Sequence, residues 1–169
     1  MTATRDLIAD PLANQVAACL KRHIQPRSRL TVGFSGGLDS SVLLHLLAGL
    51  RQATDFSLAA VHIHHGLSSQ ADVWAQHCVQ DCRELDVQLE VHRVEVRPAG
   101  EGLEAAARAA RYRVYAQLDT DFLVLAHHRD DQAETVLLQL LRGNGIKGQA
   151  AMPEARPLDE GCVLLYRKS

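Results

Sequence analysis

The sequence predicts an α/β fold: a parallel sheet of about five strands with helices on both faces. Three observations carry this reading. Short apolar runs alternate with longer stretches of helical spacing along most of the chain. The first apolar run ends in Ser35-Gly36-Gly37, so a strand feeds a tight turn. No internal repeat interrupts the alternation. Alternation of this kind builds βαβ units, whose crossovers set strands parallel and cover both sheet faces. The length, 169 residues, fits one domain.

The elements follow in order. Asn14–His23 carries Val16, Ala17 and Leu20 at helical spacing, continued by Ile24. Leu30–Phe34 reads as the first strand, and the strongly apolar Ser40–Leu50 as a buried helix. Leu58–Ile63 is the second strand. Gln70–Leu85 is a helix with Val73, Trp74, His77, Cys78 and Asp81 on adjacent turns. Leu89–Val94 forms a third strand, and the Ala- and Arg-rich Leu103–Leu118 a helix. Phe122–Ala126 is the fourth strand. Asp131–Leu141 is a helix ending near Gly143, and Cys162–Leu165 is a candidate fifth strand. Ligands of such sheets bind outside the carboxyl ends of the strands. The segments there are Ser35–Ser41, His64–Ser69, Arg97–Gly102 and His127–Asp131.

Composition narrows the classes. Hydrophobic residues make up 47% and charged residues 22%, which excludes disordered and collagen-like chains. No apolar run is long enough for a transmembrane helix, and the N-terminus lacks the apolar core of a signal peptide, so a cytoplasmic location with no membrane partner is expected. Eighteen basic residues against twenty acidic give a net charge of −2. That is not the balance of an autonomous nucleic-acid-binding domain, though fifteen of the basic residues are Arg, suited to local phosphate contacts. Cys19, Cys78, Cys82 and Cys162 form no CxxC pair and read as small hydrophobes in a reducing compartment.

Two motifs carry chemistry. In Gly33-Phe34-Ser35-Gly36-Gly37-Leu38-Asp39-Ser40-Ser41 a strand ends, two glycines turn the backbone, and a helix opens with its N–H groups toward an anion. A carboxylate in a phosphate cradle repels phosphate unless a divalent cation lies between. Asp39 therefore reads as a Mg²⁺ ligand or as a contact to a non-phosphate group. The Lys of a Walker A loop is missing, which disfavours γ-phosphate transfer. The second motif, Ala126-His127-His128-Arg129-Asp130-Asp131-Gln132-Ala133-Glu134-Thr135, follows the fourth strand. Asp131 and Glu134 are i,i+3 on an opening helical turn and share a face, and His127 lies just past the strand. Paired acids beside a nucleotide hold Mg²⁺, or hold and deprotonate an amine. Two features are more equivocal. His62 and His64 fall on one side of a strand, as zinc ligands could. Gly143-Asn144-Gly145-Ile146-Lys147-Gly148 fits G-x-G-x-x-G but follows a helix, so it reads as a loop bearing Arg142 and Lys147 rather than a dinucleotide fingerprint.

The SGGLDSS loop resembles that of the N-type ATP pyrophosphatases, the PP-loop superfamily with its Rossmann-like, adenine nucleotide alpha hydrolase-like fold. Adding His62-Ile63-His64-His65-Gly66-Leu67, the helix Leu103–Tyr112, AHHRDDQAET and Leu141–Gly148, the order and spacing from about Leu30 to Met152 resemble tRNA(Ile)-lysidine synthetases. That resemblance implies a ligase. ATP adenylates C2 of the wobble cytidine in a CAU-anticodon isoleucine tRNA with loss of pyrophosphate, and an amine of L-lysine then displaces AMP.

The resemblance also implies roles. Phe34, Ser35, Gly36, Gly37, Leu38, Asp39, Ser40 and Ser41 hold ATP, with His62 beside the adenine and ribose. Asp39 and Asp131 are the candidate Mg²⁺ ligands. Asp131, Glu134 and His127 line the reaction site, and Arg108 and Arg111 neutralise phosphate or the tRNA backbone. The family's longer members carry C-terminal tRNA-gripping domains. Here Met152–Ser169 holds Pro153, Pro157 and Gly161 and stops on Arg-Lys-Ser, so a single catalytic domain truncated from a longer protein is expected. A homodimer is left open. The alternatives are a 2-thiocytidine-type tRNA-modifying pyrophosphatase, which would be expected to carry CxxC pairs, and a nucleotide-binding module without catalysis.

Overall fold

A computed structural model describes residues 11–97 and 102–126 with their side chains, together with the backbone of strands 155–159 and 162–166. In chain order the described elements are α1 (Pro11–His23), β1 (Arg29–Gly33), α2 (Leu38–Thr54), β2 (Ser57–His64), α3 (Ala71–Glu84), β3 (Gln88–Arg93), α4 (Leu103–Tyr115), β4 (Phe122–Leu125), β5 (Ala155–Asp159) and β6 (Cys162–Tyr166). They form one sheet in the order β3-β2-β1-β4-β6-β5. Every neighbouring pair is parallel except β5 with β6. From β1 the chain steps outward through β2 to β3, then returns to place β4 on the other flank of β1. The direction of strand addition therefore reverses between β1 and β4, which opens a crevice at their carboxyl ends.

Alternation along the strands assigns each face its helices. Leu30, Val32, Ala60 and Val124 pack against Leu20 of α1, Leu43, Leu44 and Leu47 of α2, and Cys78 and Cys82 of α3. The intervening Val61, Leu123 and Leu125 pack against Val114 and Tyr115 of α4. Both faces are thus covered, which is why the central strands read as continuous apolar runs.

Local chemistry sets the helix ends. Pro11, whose missing N–H costs nothing at the first helical position, opens α1, and Lys21, Arg22 and His23 suit its carboxyl end. Helix α2 starts two residues before the expected Ser40, with Asp39 in its first turn, and stops where Asp55 turns left-handed at φ 52°. Helix α4 ends at Tyr115, short of the expected Leu118.

The expected fifth parallel strand is β6, beside β4. Strand β5 is an addition that pairs antiparallel at the sheet edge. Pro157 lies in it, and an edge strand tolerates a residue without an N–H donor. Cys78 and Cys82 are buried and Cys19 is half-buried, all as free thiols. Among the described residues no helix is long and apolar enough to cross a membrane. The expected helix Asp131–Leu141 and loop Gly143–Gly148 lie outside the described residues.

Candidate active site

The crevice holds a cavity of about 390 Å³, within the size range of small-molecule sites. Its floor is the carboxyl ends of β1, β2 and β4 (Gly33, Val61, Ile63, Leu125). Its walls are Ser35 and Ser40, the His64–Ser68 turn, the start of α3 and the side of α4.

The loop after β1 is built to turn sharply. Gly36 has φ +81°, a conformation side chains resist, and a Cβ there would sit 2.9 Å from Cys78 Sγ. At Gly33 a Cβ would meet the Tyr115 hydroxyl at 2.8 Å, so this glycine lets α4 close onto the strand. Serine hydroxyls tie the turn to itself. Ser40 and Ser41 donate to the Gly37 carbonyl at 2.9 and 3.1 Å. Ser35 Oγ lies 3.0 Å from Ser40 Oγ and accepts the Gly37 N–H at 3.3 Å. With the Ser40 proton on Gly37, Ser35 donates to Ser40. The sequence assigned these hydroxyls to phosphate. These bonds shape the loop, and the first-turn N–H groups of the 17-residue α2, which have no carbonyl one turn back, suit an anion.

The β2 histidines divide their work. His62, buried, has Nδ1 2.8 Å from the Phe34 carbonyl, so Nδ1 carries the proton and donates. Cys78 Sγ lies 3.5 Å from the same nitrogen. This bond staples the loop after β1 to β2. His64 Nε2 lies 3.2 Å from Asp72 Oδ1, which also accepts from Arg93 at 2.6 Å. The start of α3 is thereby tied to the ends of β2 and β3. His65 has a buried Nδ1 with no hydrogen-bond partner. Burial, then the charge of Arg111, holds its pKa below the usual histidine value. His62 and His64 are therefore each committed to a protein partner. Among the described residues no three His, Cys, Asp or Glu side chains group to hold a metal.

The two arginines of α4 separate. Arg111 lines the cavity. Arg108 is exposed and stacks its guanidinium 5.2 Å above the Tyr112 ring, away from the cavity wall. Leu38 is 80% exposed and Ser41 half-buried, and neither lines the cavity, whereas Phe34, Ser35, Ser40 and His62 do. Asp39 is half-buried on the first turn of α2. His127, Asp131 and Glu134 lie outside the described residues. Ala126, immediately before them, lines the cavity, and the register pairs Leu125 with Gly33.

Trp74, Tyr115 and the Asp72–Arg93 pair were not marked by sequence reasoning as site residues. Trp74 had helical spacing as its only signal. Asp72 and Arg93 are 21 residues apart and come together only through the sheet.

Residues 9–166 match a family described as the PP-loop domain. Similar proteins include the tRNA(Ile)-lysidine synthase of Alkalilimnicola ehrlichii, 52% identical over 97% of this chain and 36% of its own length. That of Chromobacterium violaceum is 56% identical over 79% of this chain and 31% of its own length. The chain thus spans about a third of the length of the curated relatives it matches. A solved structure, the U34-tRNA thiolase NcsA from Methanococcus maripaludis with its [4Fe-4S] cluster, superimposes with a TM-score of 0.74 at 18% identity, covering 96% of this chain and 59% of that one.

Proposed function

This chain belongs to the PP-loop domain family, and from that premise we propose that it is the ATP-using catalytic unit of a tRNA(Ile)-lysidine synthetase. The single observation that carries the reading is the loop from Ser35 to Ser40. It is folded at the switch point, with Gly36 left-handed and a long helix opening behind it, and its ends, Ser35 and Ser40, line one cavity with His62 and Arg111. Relatives at 45–56% identity carrying that name support the choice within the family. Buried Cys78 and Cys82, with thiols pushed up to about 12 and about 11 chiefly by desolvation, offer no nucleophilic sulfur for a thiolating alternative.

In the proposed reaction the C2 oxygen of the wobble cytidine attacks the α-phosphorus of ATP. Pyrophosphate departs, and an amine of L-lysine then attacks C2 and releases AMP. The chain's task is to position reactants and hold charge. The first-turn backbone N–H groups Leu38–Ser40 and the α2 dipole receive the phosphates. His62 fixes the loop that presents them. Arg111 supplies positive charge at the opposite wall, and Arg108, outside the cavity, would serve the RNA backbone.

Asp39 suits a magnesium ion, since Mg²⁺ takes one or two carboxylates and fills its shell with phosphate oxygens and water. When bound, that ion neutralises triphosphate charge, with Asp131 as the second candidate carboxylate. Asp131 and Glu134, with His127, would receive the lysine amine. Ala126, the residue before their segment, lines the cavity, which supports this reading. A cytoplasmic site of action accompanies this reading.

The test is incubation with α-labelled ATP, Mg²⁺, L-lysine and CAU-anticodon isoleucine tRNA, separating AMP from ADP. Expected is AMP release that needs both tRNA and lysine. Asp39→Asn should keep the fold, by circular dichroism, and lose AMP formation. ADP as product would overturn the reading.

A further inference from the structure

Trp74 is the sole tryptophan of the chain and sits in the opening turns of α3, with its backbone N–H on the Gln70 carbonyl. It is 55% exposed yet lines the same cavity as Ser35, Ser40 and Arg111. Leu67, on the turn after β2, is also exposed and shares that wall. Two residues before Trp74, Asp72 is anchored to His64 and Arg93, so the start of α3 is held in place relative to the sheet.

An indole in this setting presents a flat apolar face at the mouth of an arginine-bearing pocket. We propose that Trp74 is a stacking platform for one unpaired RNA base, a positioning residue that holds the nucleotide to be modified at the cavity rim. This rests on the function proposed above and adds the residue that grips the RNA.

The favoured occupant is an RNA base rather than the adenine of ATP because of where the ring lies. The deep wall of the cavity is the apolar strand ends, Val61, Ile63 and Leu125, whereas Trp74 is more than half in solvent. A polynucleotide backbone stays outside a 390 Å³ pocket, and only a splayed base reaches its rim. Arg111 on the facing wall complements the phosphate that such a base brings with it. Base-on-aromatic stacking tolerates any base, so Trp74 would supply grip and leave sequence choice to other groups.

The lone indole reports its own occupancy. Its emission should be quenched by a CAU-loop RNA stem-loop and by a stem-loop of unrelated loop sequence. ATP alone, or a fully paired duplex of the same length, should leave it unchanged. Anisotropy of the end-labelled stem-loop should show affinity about tenfold weaker for Trp74→Ala and largely restored in Trp74→Phe. Circular dichroism melting of each variant separates this loss from unfolding. Equal RNA affinity of Trp74→Ala and the parent chain would overturn the proposal. So would quenching by ATP alone, which would give the indole to adenine, or absence of RNA binding by the parent chain. Failure of the lysidine reading looks different: quenching by both stem-loops would persist while lysine-dependent AMP release is absent.

Discussion

Gly36 and His65 show how single residues set the site. Gly36→Ala would strain the left-handed backbone and press a methyl group onto Cys78 Sγ. The expected cost is about 1–3 kcal/mol in thermal melting, with weaker ATP binding. Adding Cys78→Ala removes the contact but not the strain, so it should restore only part of the loss. His65 gives a pH dependence. Its folded-state pKa is depressed by burial and by Arg111, so the unfolded chain takes up a proton first. Its contribution to stability is complete above the ordinary histidine pKa and is lost as pH falls through that range. Melting temperature should therefore drop on mild acidification. Arg111→Met should move the His65 titration back toward the ordinary value, read by NMR of the ring. Asp72, held below the usual carboxylate range by its hydrogen bond to Arg93, and Asp121, held there by Arg29, add their losses only in stronger acid.

At the scale of elements, α2 both closes the core and presents the loop. Leu47 is fully buried on it, so Leu47→Ala should cost about 3 kcal/mol in denaturant unfolding. The βα alternation was legible in the sequence because strands covered on both faces are largely apolar, as Phe122–Leu125 is throughout and Leu30–Val32 is apart from Thr31. Strand β5 was not legible. It lies at an edge, holds Arg156 and Pro157, and depends on antiparallel pairing with β6, which no periodicity announces. The loop after β1 was legible because its glycines, acid and hydroxyls are contiguous. The His64–Asp72–Arg93 knot and the rim position of Trp74 were not, because the fold alone brings those residues together. The Arg108 and Arg111 pair illustrates the limit of helical spacing. Residues i and i+3 share a face, yet only Arg111 reaches the cavity while Arg108 is drawn onto Tyr112.

At the scale of the whole molecule, the reversal of strand order between β1 and β4 sets the loop after β1 and the end of β4 at one crevice although more than eighty residues separate Ser41 from Ala126. The central claim is that this crevice transfers AMP to RNA, with no covalent intermediate on the protein. The most direct measurement follows the α-phosphorus label of ATP in the presence of CAU-anticodon tRNA and Mg²⁺, first without lysine and then with it. The account predicts label on the RNA alone in the first stage, discharged as AMP when lysine is added. Label retained on the protein, or released as ADP, would contradict it.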